Sequence, residues 1–455
     1  MAWLAQWLSN LLLRCVSWVR FPHGKIFVWL TDSCSGSDCL NNIKTVTEFR
    51  YVKLLRFNLR FINAWPAKEI GETYSGRMNV VLSLLQVMLN VFCLGTGLLY
   101  MWIHSDIGFY ELGHMIITVM MGFTRILMTL PVCTKYRNLV ASFLSKTHLF
   151  FYKDSSEYAM KVINFLSHFF TLYLSVQVIC GIALFNTIPM WNNYSSGKYK
   201  EKNLSNSTYE HSLYLSVPVL KVYTHFDAYL VSCLYNWLMS CLCSASFCVL
   251  DLLLSLMVFN LWGHFKILLH DLETFPLPAK KVLLSIDEKN ATVNAEMYTE
   301  EEQKIVSDKL KRCIDYHKLI RDFTDSISEA FGPMLFVYLI FHQVSGCLLL
   351  LECSQMTPEA LMKYLMLAVI IFQQLIQLSV IFELVGSTSE RLKFAVYGVP
   401  WQFMNTDNRK IVSIFLYNVQ EPMHVKALGV VNVGVSTMAS ILKTSLSYFT
   451  FLRSV

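Results

Sequence analysis

Residues 79–103, NVVLSLLQVMLNVFCLGTGLLYMWI, contain no charged side chain. A run of that length matches the roughly 20 apolar residues that carry a helix through the ~30 Å hydrocarbon core of a bilayer. Six more runs share its character, at 110–132, 162–190, 230–260, 331–352, 364–385 and 427–452. Backbone polar groups in hydrocarbon must be satisfied within their own segment, so the seven runs predict seven transmembrane helices. The fold class expected is therefore an all-α membrane protein. Composition agrees, with 54% apolar, 14% aromatic and only 15% charged residues, and a mean hydropathy of +0.43. Only Glu111, Arg125, Asp251, Glu352, Glu383 and Lys443 bring formal charge into the runs, and Asp251 and Lys443 lie deepest.

Loop charge sets the expected orientation. Lys and Arg number ten in 1–78, five in 133–161, ten in 261–330 and five in 386–426. The other side has none in 104–109, four in 191–229 and none in 353–358. The positive-inside rule then places the N-terminus in the cytoplasm and, after seven crossings, the C-terminus outside. Glycosylation sequons point the same way. Those at Asn193, Asn203 and Asn206 cluster in 191–229, the loop assigned to the outside, whereas Asn290 falls on the cytoplasmic side.

The expected order is a cytoplasmic N-terminal segment (1–78), spans one to four (79–262) with an outer loop at 191–229, and a long cytoplasmic segment (263–330). Spans five and six (331–385), a second cytoplasmic segment (386–426) and span seven (427–455) follow. Residues 1–40 lack a basic n-region and a cleavage site, which argues against a signal peptide and for an interfacial helix or an extension. Residues 49–66, FRYVKLLRFNLRFINAWP, read as a basic amphipathic helix at the inner leaflet, stopped near Pro66. In 263–330 a proline-broken stretch precedes a helix whose stripe is Ile305, Val306, Leu310, Cys313, His317 and Ile320; that helix is expected to run into span five and to offer an assembly face.

Several functions are excluded. The net charge of +6 is spread between hydrophobic runs with no basic stripe interleaved with aromatics, so no nucleic-acid partner is implied. The thirteen cysteines form no paired CxxC spacing, which argues against zinc and a disulfide framework. No nucleophile motif or metal spacing suggests an enzyme, and no cofactor or metal is implied.

The last run departs from a purely apolar pattern. At ~100° per residue, Asn432, Ser436, Ser440, Lys443, Ser447, Thr450 and Ser454 share about 80° of arc. Val431, Met438, Ile441, Leu442, Phe449 and Leu452 lie opposite. Two readings stay open on physical grounds. Small polar residues pack membrane helices together, and a polar face with a midspan ammonium also suits a water-filled pore.

The C-terminal sixty residues resemble the insect odorant receptor family. The resemblance rests on YGVPWQFMNTDNRKIVSIFLYNVQEP at 397–422 followed by KTSLSYFTFLR at 443–453. It is carried by Tyr397, Pro400, Trp401, Arg409, Lys410, Gln420, Pro422, Ser447, Tyr448, Phe449 and Thr450. The AWP at 64–66 is also similar to the segment before the first span in some members. The resemblance implies a ligand-gated cation channel of four subunits around a central pore, located in the plasma membrane of an olfactory sensory neuron dendrite. It implies that the last hydrophobic unit is split into a cytoplasmic anchor helix, about 406–420, and a pore-lining helix. The pore-lining residues would be Asn432, Ser436, Ser440, Lys443, Ser447 and Thr450, with a hydrophobic gate at Phe451 and Val455.

The chain is expected to be the ligand-tuning subunit, with a small volatile odorant, odorant co-receptor subunits, permeating cations and membrane lipid as partners. The resemblance puts the odorant pocket among spans two to six. Candidate ligand-binding residues are Met115, Thr118, Tyr173, Gln177, Trp237, His342, Tyr364 and Phe372, of which Gln177 and His342 can offer a hydrogen bond. An insect gustatory receptor channel is the nearest alternative, but its final helix would end differently from SYFTFLRSV. A G-protein-coupled receptor would need the opposite orientation, and neither an Asp/Glu-Arg-Tyr after span three nor an Asn-Pro-x-x-Tyr in span seven is present.

Overall fold

The computed structural model describes residues 43–454 apart from 73–75, 105–111, 113–114, 118, 122, 125–132, 153–156, 201–203, 205–206, 218–220, 280–281, 289–290 and 355–364. The expectations for residues 1–40 and for most of the run at 110–132 therefore lie outside the described residues.

Helix α1 (Arg50–Phe61) turns Tyr51, Val52, Leu55 and Leu59 into the core, the 3–4 spacing of a one-faced helix. Its basic face is also engaged by protein. Arg56 and Arg60 meet the Glu72 carboxylate at 2.9 and 2.8 Å, and the Trp65 indole donates to it at 3.1 Å. The helix ends ahead of Pro66 because Asn63 takes a left-handed conformation, φ 56°.

Among the described residues, five helical stretches are long and apolar enough to cross a membrane: Val80–Ile103, Glu157–Ser195, Phe226–Glu273, Glu300–Cys353 and Leu367–Phe403. The first four fall in α2 (Gly76–Ile103), α4 (Glu157–Ser195), α5 (Phe226–Glu273) and α6 (Glu300–Cys353), and the fifth begins in α7 (Met366–Glu390) and runs on past its end; a short α3 (Thr134–Ser142) follows the second run. Helix α5 is apolar on every side, which suits a helix surrounded by others. Leu252, Leu253, Leu254, Leu256, Met257 and Val258 are accordingly buried. Leu84 and Met88 on α2, and Ile179 and Leu184 on α4, instead stand exposed, the surface a perimeter helix shows to lipid.

The chain between α5 and α6, expected to be merely proline-broken, forms an antiparallel hairpin of β1 (Val282–Glu288) and β2 (Ala291–Met297). Helix α6 then opens with a capping box in which Thr299 and Glu302 satisfy each other's backbone N–H groups. Val306, Leu310, Cys313, His317 and Ile320 form its buried stripe. Ile305 does not share it: one residue out of the 3–4 step, it is exposed. The helix continues without a break through Pro333 into the apolar run.

Helices α8 (Leu392–Tyr397) and α9 (Thr406–Asn418) follow α7. Asn408 docks α9 on α6 by donating to the backbone and side-chain oxygens of Gln303 at 3.1 and 2.9 Å, and Gln303 donates to the Phe403 carbonyl at 3.2 Å. A tight hairpin of β3 (Lys426–Ala427) and β4 (Val431–Asn432) comes next, turning through Leu428 and Gly429 at positive φ. Only then does α10 (Val435–Ser454) begin. The last run is thus shorter as a helix than its apolar letters suggested, and Asn432 sits on a strand rather than on the helix.

Candidate functional site

Glu383 on α7 seats the start of α10. Its Oε2 accepts the Val435 backbone N–H at 3.1 Å, and a Cβ at Gly434 would lie 2.7 Å from the same oxygen, so any larger residue there makes the carboxylate shift. A negative group at a helix N-terminus satisfies a free N–H and complements the dipole.

Helix α10 packs on α6 and α7 through one face only. Met438, Ile441 and Ser445 are buried, whereas Ser436, Ser440, Lys443, Ser447, Thr450 and Phe451 are exposed. The polar arc expected from the sequence therefore coincides with the free face of this helix. Val455 lies outside the described residues. At the boundary with α6, Gln343 donates to the buried Ser445 Oγ at 3.3 Å, Ser445 Oγ donates to the Gln343 carbonyl at 3.3 Å, and the exposed Thr444 Oγ1 donates to Gln343 Oε1 at 2.7 Å.

A cavity of about 170 Å³ lies among the helices. Its wall combines Asn90 and Cys93 of α2, Ile117 and Met121 of the second run, Gln177, Gly181 and Phe185 of α4, Ser240, Phe247 and Cys248 of α5, Phe341 of α6, and Ile371 and Gln374 of α7. The mixture of a mainly apolar lining and a few amides and hydroxyls is that of a small-molecule site. Glutamines form much of its polar side. Gln177 and Gln373 pair through their amides at 2.6 and 3.4 Å, Gln373 donates to Gln377 at 2.9 Å, and Gln374 donates to Cys248 Sγ at 3.5 Å.

Of the eight ligand-binding candidates, Gln177 lines this cavity. Met115 is buried without lining it, Trp237 is half-buried, and Tyr173 is exposed beside Phe169. His342 is buried next to the cavity residue Phe341, its Nδ1 on the Tyr338 carbonyl at 2.9 Å. Phe372 packs where a Cβ on Gly346 would touch it, beside Ser445. Thr118 and Tyr364 lie outside the described residues. Asn90, Ser240, Phe247 and Cys248 line the cavity without being among the candidates; an amide such as Asn90 in a charge-free run is the one signal the sequence offers for them.

Just below the cavity on α5, Asp251 Oδ2 accepts from the Tyr338 hydroxyl at 3.0 Å. Among the described residues no group of three or more His, Cys, Asp or Glu side chains is placed to hold a metal ion.

The glycosylation expectation for Asn193 requires correction. Its side chain is buried, donates to the Glu210 carbonyl at 2.8 Å and to the Tyr229 hydroxyl at 3.0 Å, and accepts the Glu210 N–H at 2.9 Å. An amide nitrogen so enclosed has no room for a glycan. Asn203 and Asn206 lie outside the described residues.

A family model for 7tm odorant receptors matches residues 109–446. The chain belongs to the odorant receptor family. Odorant receptor 85c of Drosophila melanogaster is 25% identical to it over 149 residues, which are 32% of this chain. That match spans 38% of the curated receptor's length. The structure of the insect olfactory receptor OR5 from Machilis hrabei superposes with a TM-score of 0.69 at 14% identity, covering 89% of this chain and 97% of that one. The same receptor in complex with eugenol gives 0.70 at 13% identity, covering 90% and 99%. The chain thus has the helical fold of OR5.

Proposed function

We propose that this receptor is a subunit of an odorant-gated cation channel, which binds a small volatile in the α2–α7 cavity and opens a central pore lined by α10. The observation that carries this reading is on α6, where Phe341 stands on the cavity wall and Gln343, two residues on, holds Ser445 and Thr444 of α10. A ligand that packs differently against Phe341 in two arrangements of α6 shifts α10 between two positions, and only such a difference in affinity shifts the equilibrium.

The exposed arc of Ser436, Ser440, Lys443, Ser447 and Thr450 supplies the wet surface of the pore, and Phe451 with Val455 closes its outer end by excluding water. The reading includes seven spans with the N-terminus inside and the C-terminus outside, residence in the plasma membrane of the sensory dendrite, glycosylation at Asn203 or Asn206, and assembly with the shared odorant co-receptor as a heterotetramer. The eugenol-bound relative supports a small volatile as ligand.

Whole-cell recording from cells expressing this chain with and without an insect odorant co-receptor tests the reading. The expected result is a volatile-evoked, G-protein-independent cation current that requires this chain. Surface-expressed receptor that gives no current over a broad volatile panel counts against it.

A further inference from the structure

Among the described residues, three side-chain amides line the cavity: Asn90, Gln177 and Gln374. The nitrogens of two are already engaged by protein. Gln177 Nε2 donates to Gln373 at 2.6 Å, and Gln374 Nε2 donates to Cys248 Sγ at 3.5 Å. The Ser240 hydroxyl is also turned back, donating to the Asn236 carbonyl at 2.7 Å. Asn90 is different. It is 6% exposed, its Oδ1 is shut off from open space, and its Nδ2 donates to no group among the described residues. The nitrogen is therefore the polar atom that this side chain offers to the cavity. Burial favours that orientation, because the nitrogen carries two N–H donors and a buried N–H without an acceptor is rarer than an under-used carbonyl oxygen. Val91 and Phe92 beside it stand exposed, so α2 turns the amide inward while showing apolar side chains to lipid.

The size of the space limits what can meet this donor. A cavity of roughly 150 Å³ holds a benzene ring, so about 170 Å³ admits a ring or short chain with one small polar group. Ile117, Met121, Phe185, Phe247 and Phe341 make much of the wall apolar. An oxygen carried into such a space loses its water and stays unsatisfied unless a donor awaits it.

Resting on the reading of this cavity as the odorant site, we propose that it takes small volatiles with one acceptor oxygen, aldehydes and ketones, whose carbonyl accepts from Asn90 Nδ2 while the carbon skeleton fills the apolar wall. A hydrocarbon of the same shape fills the space and leaves the amide nitrogen unpaired.

The test uses benzaldehyde and styrene, which differ by an oxygen in place of a terminal CH2. Their binding to the full-length chain in lipid nanodiscs is read by ligand-observed NMR, with empty nanodiscs as the blank. The two probes differ in hydration, so the contact is reported by the benzaldehyde-to-styrene affinity ratio of wild type divided by that of Asn90→Leu. The expected quotient is about tenfold, the effect of one satisfied buried donor, with styrene within about threefold of its wild-type affinity in the variant. A quotient near one overturns this proposal alone, since both probes still bind. A second reading needs no variant: the infrared carbonyl stretch of benzaldehyde bound to wild type is expected at lower wavenumber than in alkane, and a stretch at the alkane position overturns the proposal. Failure of both probes to bind wild type overturns the cavity as a ligand site and the proposal with it.

Discussion

Gln343 and Ser445 share two hydrogen bonds across the α6–α10 boundary, the amide donating to the hydroxyl and the hydroxyl to the Gln343 carbonyl, both at 3.3 Å. Ser445 is fully buried, so neither contact is exchanged for water while the helices stay packed. Gln343→Leu removes the amide's contacts with Ser445 and Thr444, each worth about 0.5–1.5 kcal/mol. The variant is expected to raise the half-maximal odorant concentration by about three- to tenfold at unchanged surface expression. A dose–response series on the co-expressed receptor checks this, and an unshifted curve removes Gln343 from the coupling route.

The Tyr338 hydroxyl donates to Asp251 Oδ2 at 3.0 Å in a buried setting. Tyr338→Phe leaves the carboxyl group without it, a loss of about 1–3 kcal/mol. Surface expression and thermal stability are expected to fall in the single variant and to recover in part when Asp251→Leu is added, since removing both partners of a buried pair is milder than removing one. Equal loss in the single and double variants contradicts this pairing.

Acid is expected to weaken the fold through two buried histidines outside the spans. Burial lowers the pKa of His211, in the loop before α5, to about 4, although its ring donates to the Val222 carbonyl. Burial, with a smaller contribution from the charge of His264, lowers His148 to about 3. Both rings are neutral when folded, and the unfolded chain, titrating near 6.5, takes up protons first. Their contribution is complete above about pH 6.5 and is lost as pH falls toward 4 and 3. At pH 5 each costs about 2 kcal/mol of stability. Thermal unfolding of the detergent-solubilised receptor at pH 7.5 and pH 5 measures the drop, and His211→Phe is expected to reduce its size.

Lys443 stands on the exposed face of α10. In a pore its charge repels divalent cations most, so Lys443→Glu is expected to raise calcium permeability relative to sodium. Reversal potentials in bi-ionic solutions read this directly, and identical values for the two proteins place Lys443 off the conduction path.

Much of this architecture was legible where a single physical constraint dominates. Long apolar runs with at most one formal charge announced α2, α4, α5, α6 and α7 because hydrocarbon tolerates little else. The polar arc of α10 was visible at 100° spacing from Ser436 to Thr450. What escaped depended on local or long-range detail. The start of α10 is set by the Leu428–Gly429 turn and by Glu383, not by hydropathy, so Asn432 was placed on a helix it precedes. The sequon at Asn193 carries no sign that Glu210 and Tyr229 close over its amide. The cavity was harder still, since an inward Gln177 and an outward Tyr173 sit one helical turn apart on the same apolar helix.

The central claim, that a volatile acts from the α2–α7 cavity, is tested most directly at Gly181. It lines the cavity, and a Cβ built there meets no atom within 4 Å, so a side chain can leave the backbone at this position without a clash at its first carbon. Replacing a mid-helix glycine also favours the helix by about 0.5–1 kcal/mol, which protects folding. The decisive measurement is the odorant-evoked current of Gly181→Leu beside wild type, normalised to surface expression. The account predicts normal expression with at least a tenfold loss of sensitivity to volatiles; an unchanged dose–response curve contradicts it.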